Sequence, residues 1–83
     1  MPDSIESAVK TFILNEFLPG EDPAELTMQT PLITGAILDS IATMKLVLFL
    51  EETWGIRLEA HEASPDNLDT IALIAGLVHS KQA

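Results

Sequence analysis

The chain has 83 residues, with 13 Asp and Glu against 4 Lys and Arg and a net charge of −9. This charge disfavours nucleic acid and anionic membranes as partners, because both present negative phosphates. The absence of Cys excludes disulfides, a cysteine nucleophile and a thiolate metal site. Because 47% of the residues are hydrophobic, too many for an acidic disordered chain, we expect one folded domain over residues 1–83.

The sequence shows neither a signal peptide nor a membrane span. Its first residues lack the pattern of basic and then apolar residues that starts a signal peptide. Its longest uninterrupted apolar run, Leu46 to Leu50, is far shorter than a bilayer requires. We therefore expect a cytoplasmic protein with no membrane insertion.

The segment from Ser4 to Leu18 predicts the first helix. Asp3 and Glu6 have the spacing of a capping box, and Pro19-Gly20 ends the helix. The apolar residues that recur at helical spacing, and so predict its core face, are Ile5, Ala8, Val9, Phe12 and Phe17.

A long connector follows, from Pro19 to Asp39. Its prolines and glycines exclude a continuous helix. Its apolar residues nevertheless need a core to pack on; they are Leu26, Met28, Leu32, Ile33, Ile37 and Leu38. We expect a structured loop that packs over the helices, with a short turn near Pro23 to Leu26.

The residues from Ser40 to Trp54 predict the second helix, which Gly55 would end in the left-handed conformation. Two apolar stripes run along it. The stripe predicted to face the core contains Thr43, Val47, Leu50 and Trp54, with Leu46 beside it. The other stripe contains Ile41, Met44 and Leu48. Because one core needs one stripe, the second predicts a contact surface, with packing against the long loop as the alternative.

The C-terminal third predicts one more long helix. One helical turn is expected around Glu59 to Ala63, and Pro65-Asp66-Asn67 predicts a turn. The last helix is predicted from Thr70 to about His79, with Asp69 as its N-cap. Its core face would consist of Ile71, Ile74, Ala75 and Val78. The predicted fold is therefore an all-α bundle of three to four helices with a long structured loop between the first two.

No cluster of residues predicts catalysis or metal binding. The two histidines, His61 and His79, lie on different elements and are expected to be solvated. The pairs Glu21-Asp22 and Glu51-Glu52 are expected to be solvated as well, because adjacent side chains on a helix point in different directions. The sequence predicts a protein that is not an enzyme.

Asp39 and Ser40 stand where the connector enters the second helix. Either side chain could cap that helix. A phosphodiester on Ser40 would also suit this position, because the partial positive charge of a helix N-terminus stabilises a phosphate. From the residues alone the capping role is favoured, and the attachment role stays open.

The stretch Leu38-Asp39-Ser40-Ile41 resembles the signature of acyl and peptidyl carrier proteins at the start of their second helix. Similar segments precede and follow it in the family's order: Thr30-Pro31-Leu32, Glu51-Glu52-Thr53-Trp54-Gly55-Ile56 and Asn67-Leu68-Asp69-Thr70-Ile71. The resemblance covers residues 5–78 and implies the helical bundle of an acyl carrier protein.

The resemblance also implies a prosthetic group. A phosphopantetheinyl transferase would use coenzyme A and Mg²⁺ to join a 4′-phosphopantetheine arm to Ser40. The thiol of the arm would carry acyl or aminoacyl groups as thioesters, which is consistent with a chain that has no Cys. The resemblance assigns Asp39 to recognition by the transferase. It assigns contacts with partner enzymes to Ile41, Met44, Leu48, Glu51 and Glu52, and core positions to Val47, Leu50 and Trp54.

Two positions differ from the carriers of fatty-acid synthesis. Residues 42 and 45, often acidic there, are Ala42 and Lys45, so a basic partner surface should dock less well. The sequence looks closest to freestanding carriers of specialised metabolism, which an adenylating acyl or aminoacyl ligase loads for downstream biosynthetic enzymes. We expect a monomeric carrier of that kind. The alternatives are a housekeeping fatty-acid carrier and an acidic helical adaptor with no prosthetic group.

Overall fold

The computed structural model describes residues 5–82, and this part of the chain is all-α. Its four helices are α1 Ile5–Phe17, α2 Ser40–Trp54, α3 Pro65–Leu68 and α4 Ile71–Gln82. Two short 3₁₀ turns lie at Pro23–Glu25 and Ala60–Glu62, where single turns were expected. The predicted helical bundle is therefore confirmed. The predicted capping box of Asp3 and Glu6 involves a residue outside the described range.

One apolar core joins all four helices and the long loop, with α4 in contact with each of the other helices. Its buried members are Ile5, Val9, Ile13, Leu26, Leu32, Leu38, Ala42, Leu46, Val47, Leu50, Leu68, Ile71, Ile74, Ala75 and Val78. The predicted core face of α4 is confirmed in full. On α1 the predicted Ile5 and Val9 are buried together with Ile13, which was not predicted, whereas the predicted Ala8, Phe12 and Phe17 are only half-buried.

The long connector is a structured loop, as expected. It buries Leu26, Leu32 and Leu38 in the core. Its backbone is also tied to the C-terminal half of the chain, because the Ala72 amide donates to the Met28 carbonyl (3.1 Å) and the Leu32 amide donates to the Asp69 carbonyl. The loop therefore forms part of the bundle, and its last residues approach α2 from a fixed direction.

The predicted boundaries near α3 and α4 need three corrections. Pro65-Asp66-Asn67, predicted as a turn, forms most of α3, because the fixed φ of proline suits the first position of a helix. The N-cap of α4 is Thr70 rather than Asp69, since Thr70 Oγ1 accepts from the Leu73 amide (3.1 Å). The helix also continues past His79 to Gln82.

An ion pair joins the C-terminal end of α4 to the segment before α3. Lys81 Nζ lies 2.6 Å from Glu62 Oε1 and so ties the last turn of α4 to the turn Ala60–Glu62. The hydrogen bond from Lys81 lowers the pKa of Glu62.

No helix within residues 5–82 is long and apolar enough to cross a membrane.

Candidate functional site

The start of α2 is organised by the Asp39 side chain. Asp39 Oδ1 accepts from the Ala42 amide (2.7 Å), and the backbone of Asp39 is extended, as an N-cap requires. Thr43 Oγ1 donates to the Asp39 carbonyl (2.7 Å) and closes the first turn. Of the two capping residues that the sequence allowed, Asp39 has this role and Ser40 does not.

Ser40 is the first residue of α2, and its side chain is exposed. The cap leaves the amides of Ser40 and Ile41 without an acceptor among residues 5–82. Both amides lie at the positive end of the helix dipole, where they could donate to an anion. The Ser40 hydroxyl also has no hydrogen-bond partner within the described range, so it is free to be modified.

An open groove of about 520 Å³ runs beside Ser40. It lies between the start of α2, the end of the long loop and the segment that leads into α3. Its walls are mostly apolar, and Asp39 supplies the carboxylate among them; the other lining residues are Ile33, Leu38, Thr43, Met44, Ala63 and Pro65. A flexible chain attached to Ser40 could lie along this surface.

The second apolar stripe of α2 faces solvent. Ile41 is 70% exposed, Met44 60% and Leu48 52%. The alternative that this stripe packs against the long loop is therefore wrong. The opposite side of α2 enters the core through Ala42, Leu46, Val47 and Leu50, whereas Thr43 and Trp54 are half-buried at its edge.

The two glutamates near the end of α2 have different surroundings. Glu52 is exposed, as expected. Glu51 is half-buried, and its Oε2 accepts from the Leu58 amide (2.8 Å), so it is not the fully solvated side chain that was predicted. Glu51 fixes the chain as it leaves α2, and contact of either residue with a partner enzyme stays a prediction.

Asp69 holds the loop that forms one wall of the groove. Its Oδ1 accepts from the amides of Ile33 and Thr34, and its Oδ2 accepts from Thr34 Oγ1, each at 2.9 Å. These bonds, chiefly the one from the Thr34 amide, lower the pKa of Asp69. The sequence did not predict this role, because the position directly before a helix suggested a cap and no local pattern indicates the distant loop.

The described residues offer no metal centre. No group of three or more His, Cys, Asp or Glu comes together within residues 5–82. His61 and His79 are both exposed, as expected. What this surface presents is an exposed serine at the start of α2 and an exposed apolar stripe along the same helix.

Comparison with known proteins identifies a relative of this chain. No protein-family model matches the sequence. The chain is similar to the probable acyl carrier protein PigG of Serratia sp., with 34% identity over 79 residues. The match covers 95% of this chain and 90% of the Serratia protein, so it includes the helices, the loop and the groove together.

Proposed function

The chain belongs to the acyl carrier protein family, whose members are carriers rather than enzymes, and we propose that Ser40 bears the 4′-phosphopantetheine arm that this family implies. The observation that carries the proposal is the exposed hydroxyl of Ser40 at the start of a helix that Asp39 already caps. Because capping does not require Ser40, its side chain is available for attachment.

The surroundings of Ser40 fit a phosphodiester followed by a flexible arm. The Ser40 and Ile41 amides and the helix dipole favour a negative group at this point. The apolar wall of the groove, formed by residues such as Ile33 and Met44, would shield part of a chain that leaves Ser40. When bound, the arm supplies a thiol that holds an acyl or aminoacyl group as a thioester.

We propose that the exposed stripe of Ile41, Met44 and Leu48 contacts the enzymes that modify, load and unload the carrier. These would be a phosphopantetheinyl transferase, an adenylating acyl or aminoacyl ligase, and downstream biosynthetic enzymes. Apolar side chains this exposed are costly in water, and a transient partner would cover them. Glu52, exposed on the same helix, would meet a basic group of the partner.

We also propose that the carrier serves specialised metabolism. The support is the surface of α2 near Ser40, where Ala42 is buried and adds no charge and Lys45 is exposed. The acidic stripe expected of a fatty-acid carrier is therefore absent from this turn. The single domain over residues 1–83, the monomeric state and the cytoplasmic location stay predictions.

Intact-mass measurement tests the attachment. The purified chain is incubated with coenzyme A, Mg²⁺ and a broad-range phosphopantetheinyl transferase, and we expect the mass of one phosphopantetheine to be added. Ser40→Ala should gain no mass while its helical circular dichroism stays unchanged, because the Asp39 cap remains. Ser80→Ala, which removes an exposed hydroxyl on α4, is the matched control and should be modified normally.

The two alternatives give different results. If the wild-type chain gains no mass while a known carrier in the same reaction does, it is an adaptor without a prosthetic group. If fatty-acid synthase enzymes acylate and elongate the modified chain as efficiently as they do their own carrier, the chain is a housekeeping carrier. The proposal expects modification with poor elongation.

A further inference from the structure

One face of α2 presents a fixed order of apolar and charged side chains to solvent. The exposed residues of this face are Ile41, Met44, Lys45, Leu48 and Glu52. Their spacing of 3, 1, 3 and 4 positions places them on a single side of the helix. Lys45 therefore borders the apolar stripe, one turn after Ile41 and one turn before Leu48.

Lys45 has no ion-pair partner on its own chain within residues 5–82. The one ion pair in this range joins Lys81 to Glu62, at the far end of α4. The nearest carboxylates along the helix, Asp39 and Glu51, are each six positions from Lys45 and accept from the Ala42 and Leu58 amides, and the exposed Glu52 is seven positions away. In a chain of net charge −9, what distinguishes Lys45 is its place, because it is an exposed cation that borders the exposed apolar stripe of α2.

The charges along this face change sign with distance from Ser40. Glu52 follows Lys45 by seven positions, which is about 10 Å along a helix axis. A partner that covers the stripe would meet the positive group close to the attachment point and the negative group farther away. A uniformly basic surface would place like charges against Lys45, and such a contact would slow association.

We propose, on the basis of the function proposed above, that α2 docks on enzymes whose apolar contact surface carries a carboxylate opposite Lys45 and a basic group opposite Glu52. The apolar part of the contact covers Ile41, Met44 and Leu48, and the two charges set the orientation along the helix. This arrangement selects against enzymes that recognise carriers through basic residues alone.

The test uses as its probe a phosphopantetheinyl transferase whose carrier-docking surface is basic, and measures the rate of mass gain with coenzyme A. Lys45→Glu should be modified roughly tenfold faster than wild type, and Lys45→Gln should have an intermediate rate. Arg57→Glu is the matched control, because Arg57 is exposed beyond the end of α2 and the change also takes the net charge from −9 to −11. Its rate should stay within about twofold of wild type.

A charge exchange in the probe completes the experiment. In a second form of the transferase, the docking Arg nearest to the carrier helix is replaced by Glu. This enzyme should modify wild type faster than it modifies Lys45→Glu, so the order of the two rates reverses. Equal effects of Lys45→Glu and Arg57→Glu, or an order that does not reverse, would overturn the inference while the carrier function stands. If neither transferase modifies the wild-type chain while a control carrier is modified, both the carrier function and the inference are overturned.

Discussion

Asp69 Oδ1 lies 2.9 Å from the backbone nitrogen of Thr34, and Asp69 Oδ2 lies 2.9 Å from Thr34 Oγ1. One carboxylate thus accepts both donors of a residue 35 positions earlier in the chain. It also accepts from the amide of Ile33, whose side chain lines the groove beside Ser40. The junction between α3 and α4 therefore fixes the wall of the groove along which an arm on Ser40 would lie.

This contact predicts a specific dependence of stability on pH. Because the native hydrogen bonds lower the pKa of Asp69 below its ordinary value of 3.8, its contribution to folding is fully present above that value. The contribution is lost as the pH falls through the lowered native pKa. Asp69→Asn should be less stable than wild type at pH 7 and should lose less further stability between pH 5 and pH 2.

Urea unfolding at a series of pH values measures this difference. Asp66→Asn, on the exposed side of α3, is the control and should keep the acid dependence of wild type. Part of that dependence should persist in Asp69→Asn as well, because Lys81 lowers the pKa of Glu62. Parallel curves for Asp69→Asn and wild type would show that the bonds to the loop do not favour the charged carboxylate.

In the turn before Ser40, substitutions at two adjacent residues should have opposite effects on the stability of the fold. Ala36 has a φ of 64°, a left-handed conformation that costs a residue with a Cβ about 1–2 kcal/mol. Ala36→Gly should stabilise the fold by about 0.5 kcal/mol, because the greater freedom of glycine in the unfolded chain offsets part of the relief. Gly35→Ala should destabilise it, because an added Cβ would overlap the Pro31 carbonyl oxygen.

Chemical denaturation of the two variants checks both signs. They change neighbouring residues of one turn by a single methyl group in opposite directions, so each serves as the control for the other. A less stable Ala36→Gly protein would mean that the left-handed conformation at residue 36 is not strained.

The features that could be predicted from the sequence are those fixed by neighbouring residues. Asp39 and Gly55 bound α2 because a capping side chain and a left-handed glycine act within one turn of a helix end. The exposure of Met44 could be predicted because α2 has two apolar stripes, and a single core covers only one of them. The resemblance around Asp39 and Ser40 indicated the family, which the similarity to the Serratia protein shows.

The features that could not be predicted depend on contacts between distant segments. Phe12 stacks on Phe49 with ring centres 4.1 Å apart, and Phe49 meets Trp54 edge to face at 5.8 Å. These rings pack on one another at the rim of the bundle, which leaves the core position on α1 to Ile13. Helical spacing on one segment shows that Phe12 and Ile13 are apolar but does not show which of them a second helix will cover.

The same aromatic contacts set the expected cost of removing Trp54. A fully buried Trp replaced by Ala costs about 3–5 kcal/mol, but Trp54 is half-buried at the end of α2. Trp54→Ala should therefore cost about 2 kcal/mol, from partial loss of apolar burial and of the edge contact with Phe49. Leu46→Ala, which removes a fully buried side chain of the same helix, should cost about 3 kcal/mol or more. Urea unfolding gives both values, and an equal or larger loss for Trp54→Ala would place this ring in the core.

Because Met44 is exposed, a substitution there should change the rate of modification much more than the free energy of unfolding. Met44→Glu should change the free energy of unfolding by less than about 0.5 kcal/mol, because the side chain is 60% exposed. It should slow modification by a broad-range transferase roughly tenfold, because it places a charge in the apolar contact. Leu73→Glu is the control, since Leu73 is 43% exposed on α4 and lies outside the proposed contact. Equal rates for the two variants would exclude Met44 from the contact with the transferase.

Asp39 offers a way to separate its structural role from its proposed recognition role. Asn caps a helix about as well as Asp, so Asp39→Asn should stay within a few tenths of a kcal/mol of wild type in stability, whereas Asp39→Ala should lose about 1 kcal/mol. Both variants lack the carboxylate next to Ser40, so if the transferase recognises that charge, coenzyme A-dependent mass gain should be slowed equally in both. Asp66→Asn, with the same change of charge on α3, should be modified at the wild-type rate. A normal rate for Asp39→Asn beside a slow Asp39→Ala would show instead that Asp39 acts on Ser40 only by ordering the first turn of α2.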